Sequence, residues 1–192
     1  LSMTLAFSAV TATLSVNAPS LSPWVFLIGA YGFLFATHAL ARSPWGLLTT
    51  FGFTGFIGYG VGPLLGYLMA SQNGSEIVTT ALGGTAFIFF GLSGWVLASR
   101  KDFSFLRGFI AAGCLVLLAA IMISLFWQMP ALQLAMSVGF MFFSSAVILY
   151  QTSEIIHGGE RNYILATITL YVSIYNIFMS LLHLLMAFSG DD

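Results

Sequence analysis

Apolar residues run along this chain in long blocks, separated by short polar or proline-bearing breaks. A spanning α-helix needs about 20 mostly apolar residues. Seven blocks approach or exceed that length: roughly Leu1 to Val16, Ser22 to Ala41, Trp45 to Met69, Ile77 to Ser99, Phe105 to Trp127, Pro130 to Ile156 and Tyr163 to Phe188. Strands fit poorly, because no ten-residue alternation recurs and the blocks are too long. Pro19 and Pro23 flank the second start, Pro44 precedes the third, and Pro130 opens the sixth at a position where helices accept proline. Ser71 to Glu76, "SQNGSE", reads as a polar turn. The pattern predicts an all-α membrane protein with seven transmembrane helices in one domain over residues 1–192. The chain opens on Leu1 and its first block is short, so an upstream cytoplasmic tail and the start of helix one are expected before it.

Two helices carry patterns within their apolar blocks. In helix three, Gly55, Gly58 and Gly62 fall on one face, with Gly52 near it. Small residues let helices approach closely in lipid, where close packing replaces the hydrophobic effect. Pro63 removes a backbone donor and favours a kink. A packed, kinked helix and a gating hinge both fit. In helix seven, Asn162, Thr169, Ser173, Asn176, Ser180 and His183 follow one another at spacings of 7, 4, 3, 4 and 3. At about 100° per residue they stay within about 40° of one line. Helix six repeats the pattern with Ser137, Ser144 and Gln151, seven apart each time. Polar side chains at this depth face protein or water, not lipid. The seam is either hydrogen-bonded packing or a proton or ion path, and His183 is its one member that titrates near neutral pH. His38 reads as a membrane-edge residue.

Composition sharpens this picture. Hydrophobic residues make up 59% of the chain, charged residues 6%, and the mean hydropathy is +0.99. A soluble domain carries about 25% charged residues, so membrane lipid is the solvent here. The net charge of -1 offers no field for nucleic acid. Cys114 stands alone, so no internal disulfide forms, and no Cys/His spacing suits zinc. Paired-carboxylate, H-E-x-x-H, G-x-S-x-G and phosphate-loop motifs are absent, which argues against an enzyme, a resident metal or a cofactor. All five basic residues sit in alternate connections: Arg42, then Arg100, Lys101 and Arg107, then Arg161. The positive-inside rule makes those connections cytoplasmic and the N-terminus cytoplasmic, and puts the C-terminus, Asp191 and Asp192, outside, which is the periplasmic side if the membrane is a bacterial inner membrane.

The stretch Tyr150 to Ile164, "YQTSEIIHGGERNYI", then reads as the cytoplasmic turn between helices six and seven. Gly158 and Gly159 supply the sharp bend. His157, Glu160 and Arg161 read as solvated turn residues. Glu154 lies one turn earlier. It either reaches for water at the membrane edge or faces the bundle as a functional carboxylate.

"GFTGFIGYGVGPLL", "RKDFSFL" and "IIHGGERNYILATITLYVSIYNIF" occur in this order. The chain resembles the Bax inhibitor-1 (TMBIM) family along its whole length, and its bacterial branch most. The resemblance implies a fold in which helix seven is central within a six-helix surround, in a bacterial inner (plasma) membrane. It also implies binding to an FtsH-type AAA protease as substrate and brake in membrane-protein quality control. Some family members are pH-sensitive calcium leaks. Their sensor is a pair of aspartates, on helices six and seven, with an arginine of helix two nearby. The motifs put Gln151 and Ser173 at the aspartate positions and Arg42 close to the arginine's place. Neither Gln151 nor Ser173 can ionise, and a shared-proton switch needs two acids. A cation or proton leak through the bundle centre is therefore the second reading, with pH gating weakened or lost.

Overall fold

Why the breaks fall where they do is visible in the hydrogen bonds at the helix ends. The computed structural model describes residues 1–127 and 129–190; Gln128, Asp191 and Asp192, and with them the expected placement of the C-terminus, lie outside the described residues. These residues form seven helices and no strand: α1 (Ser2–Leu14), α2 (Pro23–Leu40), α3 (Trp45–Met69), α4 (Gly74–Ser99), α5 (Leu106–Phe126), α6 (Pro130–His157) and α7 (Tyr163–Ser189). Ser22 caps α2 by accepting from the Val25 N–H at 3.4 Å. Helix α6 ends on Gly158, whose φ of 76° favours glycine. The N–H groups of Gly159 and Glu160 then bond back to the Glu154 carbonyl, at 2.9 and 3.3 Å. Helix α4 begins at Gly74, so the polar turn is shorter than expected. The Asn73 carbonyl accepts the first helical bond, from the Ile77 N–H at 3.0 Å, and Glu76 sits in the first turn. A carboxylate there complements the positive end of the helix dipole.

Among the described residues, five helices are long and apolar enough to cross a membrane: α2, α4, α5, α6 and α7. Helix α1 has only 13 residues. Helix α3 has 25, but its many glycines dilute its hydropathy. The chain divides into two compact units. Unit one holds residues 1–78 and 162–171. Unit two holds residues 79–161 and those from 172 onward.

In unit one, α3 packs against both α1 and α2. Gly58 meets the Ser8 carbonyl and the Thr11 hydroxyl, Gly62 meets Ser15 and the Ala12 carbonyl, and Gly55 meets the Phe7 ring. Gly66 extends this face against Val16, whereas Gly52 turns to Phe33 of α2. Gly60 joins Gly52 against α2, under the Phe26 ring. Helix α3 runs through Pro63 without ending. Proline has no N–H for the carbonyl four residues back, which is that of Tyr59. The hydroxyl of Ser15, the residue that caps the end of α1, donates to that carbonyl at 2.9 Å, from a fully buried position. Tyr171 of α7 completes the unit. Its hydroxyl donates to the Thr54 carbonyl at 3.2 Å and bonds the Ser8 hydroxyl at 2.6 Å, and its ring lies edge-on to Phe53.

In unit two, α5 packs on α6. Gly113 lies under the Phe143 ring and Gly84 against Leu181. Val96, Ile148, Ile177 and Leu182 are fully buried. Most of α5 is open: Leu115 and Val116 are about two-thirds exposed, as suits a lipid-facing helix.

Candidate functional site

The polar row of α6 faces inward along its length. Ser137, Ser144 and Gln151 are all buried, with 8%, 1% and 6% exposure. The Ser137 hydroxyl donates to the Gln133 carbonyl at 3.1 Å, one turn back on its own helix. The Ser144 Oγ and the Gln151 Nε2 are buried without a hydrogen-bond partner. Such orphans are uncommon in a native interior. On α7, Ser173 and Ser180 are buried, Asn176 is half-buried and His183 is exposed.

Part of this seam opens onto a cavity of about 770 Å³ within unit two. Ser137 of α6 and Asn176, Ser180 and His183 of α7 line it, with Ser124 of α5. It lies where α5 ends, α6 begins and α7 ends, at the opposite end of these helices from Arg100, Lys101 and Arg161. Asn176, Ser180 and His183 are spaced as i, i+4 and i+7, which puts them on one helical face. Sequence spacing thus identified four of the lining residues. It missed Gln133, and it missed Met136, Met179 and Met186, which line the same space and look like ordinary apolar positions in a sequence.

The other end of the seam does different work. Asn162 caps α7: its Oδ1 accepts from the N–H groups of Ile164 and Leu165, at 2.9 and 3.3 Å. Its Nδ2 donates to the Ala41 carbonyl at 2.9 Å. Thr169 is half-buried and bonded within the fold. Among the described residues no three His, Cys, Asp or Glu side chains converge. The family model described as "Inhibitor of apoptosis-promoting Bax1" matches residues 1–190.

The chain belongs to this Bax inhibitor-1 family. An uncharacterized protein of Pseudomonas aeruginosa is 56% identical over 194 residues, covering 100% of this chain and 87% of that protein. The Escherichia coli K12 protein named Modulator of FtsH protease YccA is 50% identical over 193 residues, covering 100% and 88%. An uncharacterized membrane protein of Vibrio cholerae is 40% identical over 195 residues, covering 100% and 87%.

Within this family member, Gln151 and Ser173, the residues expected at the two sensor positions, are both buried. Glu154 is half-buried and does not point along the seam. Its carboxylate lies over Gly159, where it would meet any side chain placed at that position. Arg42 is exposed just past the end of α2. Three side chains that fasten the fold escaped the sequence reading: Ser15 and Tyr171 of unit one, and Ser153 of α6. Ser153 is buried and holds the connection between α4 and α5. Its Oγ accepts from the Phe103 N–H at 3.0 Å and donates to the Lys101 carbonyl at 3.4 Å. In that connection the Ser104 N–H, 2.8 Å from Asp102, holds the Asp102 carboxyl below the usual carboxylate range, with help from the Ser104 hydroxyl.

Proposed function

We propose that this chain is a bacterial inner-membrane protein that binds an FtsH-type protease and modulates its quality control of membrane proteins. The observation that carries this is the 50% identity, along the whole chain, to the relative named for FtsH modulation. A relative from a second Escherichia coli strain that is named an inner membrane protein supports that compartment. The seven-span reading has the N-terminus inside and the C-terminus outside, and the five basic residues on alternate connections support it. A central α7 is supported by burial: 39% of its apolar span is buried, against none of that of α5. One domain over residues 1–192 is supported by α7 itself, which continues unbroken from Tyr171 to Val172, where the two units divide.

A brake must engage a protease that extracts membrane proteins and then resist being pulled apart. The fit of α1 into the glycine face of α3 gives unit one that resistance. Small residues in contact maximise dispersion between the helix backbones, and every crossing hydrogen bond there must break before α1 leaves. Affinity capture of the protein from native membranes should recover an FtsH-type protease, and overproduction should slow turnover of a membrane substrate. Absence of the protease from the captured material, with turnover unchanged, would remove this reading.

A cation or proton leak is the second reading, favoured by the buried orphan groups on α6 and the polar wall of the cavity. Calcium and proton flux into liposomes containing the pure protein tests it. Because Gln151 and Ser173 cannot ionise, any flux should vary little with pH. Gln151→Asp together with Ser173→Asp should introduce a pH dependence, because two nearby acids titrate as a coupled pair. Steep pH-dependent calcium flux in the unmodified protein would show that those two residues do not silence the switch.

A further inference from the structure

We propose that the unit-two cavity binds an uncharged membrane amphiphile by hydrogen bonds to its carbonyl oxygens. The polar wall determines the ligand's polarity. The side chains of Asn176, Ser180 and His183 make no hydrogen bond to a described residue. Each can offer an N–H or O–H from one face of α7. The Ser137 and Ser124 hydroxyls already donate to their own helices, the latter to the Ile121 carbonyl at 2.7 Å. Asn176, Ser180 and His183 therefore keep donors free beside their acceptors, and a carbonyl oxygen entering the cavity would meet them.

Charge and shape narrow the class. Among the described residues, no Asp, Glu, Lys or Arg lines the cavity. An ionic head would sit there without a counter-charge, at a large desolvation cost. The volume of about 770 Å³ lies in the range of small-molecule sites, roughly 300–1,000 Å³. Phe140, Leu134 and the three methionines make the rest of the wall apolar, and methionine adapts readily to an irregular guest. Burial gives the site a direction: Ser137 and Ser180 form a closed floor, while Gln133 and His183 stand on an open rim. The rim is at the ends of three apolar helices, the depth at which lipid carbonyls and ring headgroups reside in a bilayer. Two sources share this chemistry: a membrane quinone, and the ester carbonyls of a neutral glycerolipid.

Calorimetric titration of the purified protein in detergent, with decylubiquinone in one arm and dioctanoylglycerol in the other, separates the sources. One of them should bind saturably. Asn176→Leu should weaken that binding about tenfold, as expected for a lost hydrogen bond in a dry site. His183→Leu, on the exposed rim, should weaken it a few-fold and leave the melting temperature unchanged. If Asn176→Leu does not fold, Ser180→Ala and His183→Leu carry the same reading. A silver(I) titration covers the soft-donor set of Met136, Met179, Met186 and His183. The proposal is overturned if neither amphiphile binds saturably, or if binding is unaffected by the variants. It is also overturned if silver(I) alone binds and Met179→Leu abolishes that binding. Protease capture is measured separately, so failure here leaves the FtsH reading standing.

Discussion

The polar side chains at the α1–α3 seam of unit one and those along the α6 and α7 rows of unit two are used differently. In unit one the hydroxyls of Ser15 and Tyr171 reach across to backbone carbonyls of α3, and glycine lets the helices close around them. In unit two Ser144 and Gln151 are buried with unmet groups, and Asn176, Ser180 and His183 face an open cavity. The same residue types therefore act as fasteners where backbones touch and as a receptive lining where they do not. The glycines divide in the same way. Gly55, Gly58 and Gly62 have no room for a side chain, whereas Gly83, Gly91 and Gly94 of α4 have nothing nearby to meet one.

The largest effect is expected from breaking the fastened side of that contrast. Gly58→Leu should lower the melting temperature in detergent by roughly 5–10 °C, since overpacking commonly costs about 1–3 kcal/mol. Gly91→Leu should leave it nearly unchanged, and Gly91→Ala should raise it slightly, because alanine is the better helix former. Equal losses at positions 58 and 91 would erase the distinction between the two units.

The next effect sharpens the role of the hydroxyls. Ser15→Ala leaves the Tyr59 carbonyl buried and unmet, which should cost about 1–3 kcal/mol. Pro63→Ala restores an N–H that can reach the same carbonyl from within α3. Ser15→Ala should therefore cost clearly less in the Pro63→Ala background, and a double-mutant cycle measures that coupling. Strict additivity would show that Ser15 does not serve the carbonyl freed by proline.

How much of this was legible in the sequence follows from the range of each interaction. The rows Ser137–Ser144–Gln151 and Asn176–Ser180–His183 lie within one helix, so spacing alone projects them onto one face. The glycine face of α3 is legible for the same reason. What it faces is not: nothing in the sequence assigns Gly58 to α1 and Gly52 to α2. Ser15 and Tyr171 fall outside the seam's period, and their partners lie 44 and 117 residues away. Ser153 is hidden in the same way, since its partner Phe103 is 50 residues distant. Asn162 was assigned to the seam by period, but its position just before α7 makes it a cap, a local geometry that competes with the face pattern.

Smaller effects belong to the connection between α4 and α5. Ser153→Ala should leave the melting temperature within a few degrees of the parent. It should speed amide exchange at Phe103, whose N–H loses its acceptor. Unchanged exchange there would mean that the connection is held by other contacts. The smallest effect concerns Asp102. Its carboxyl is depressed below the ordinary value of 3.8, so its contribution is present above that pH and fades as the pH falls through the lower folded value. Asp102→Asn should therefore cost slightly at neutral pH and nothing in strong acid. A cost that persisted below pH 3 would assign the effect to lost packing and not to charge.

The bond from Ser15 to the Tyr59 carbonyl bears on the order in which the protein is made. A proline in an apolar helix arrives in the bilayer with one carbonyl that its own helix cannot satisfy. The donor that satisfies it caps the end of α1, which leaves the ribosome before α3 does. Helix α3 therefore enters a membrane where its missing hydrogen bond is already waiting. A circularly permuted chain with α1 moved to the far end would reverse that sequence. It would hold Tyr59 unmet until translation finished, and its membrane insertion should be slower and less complete even if the final fold were the same.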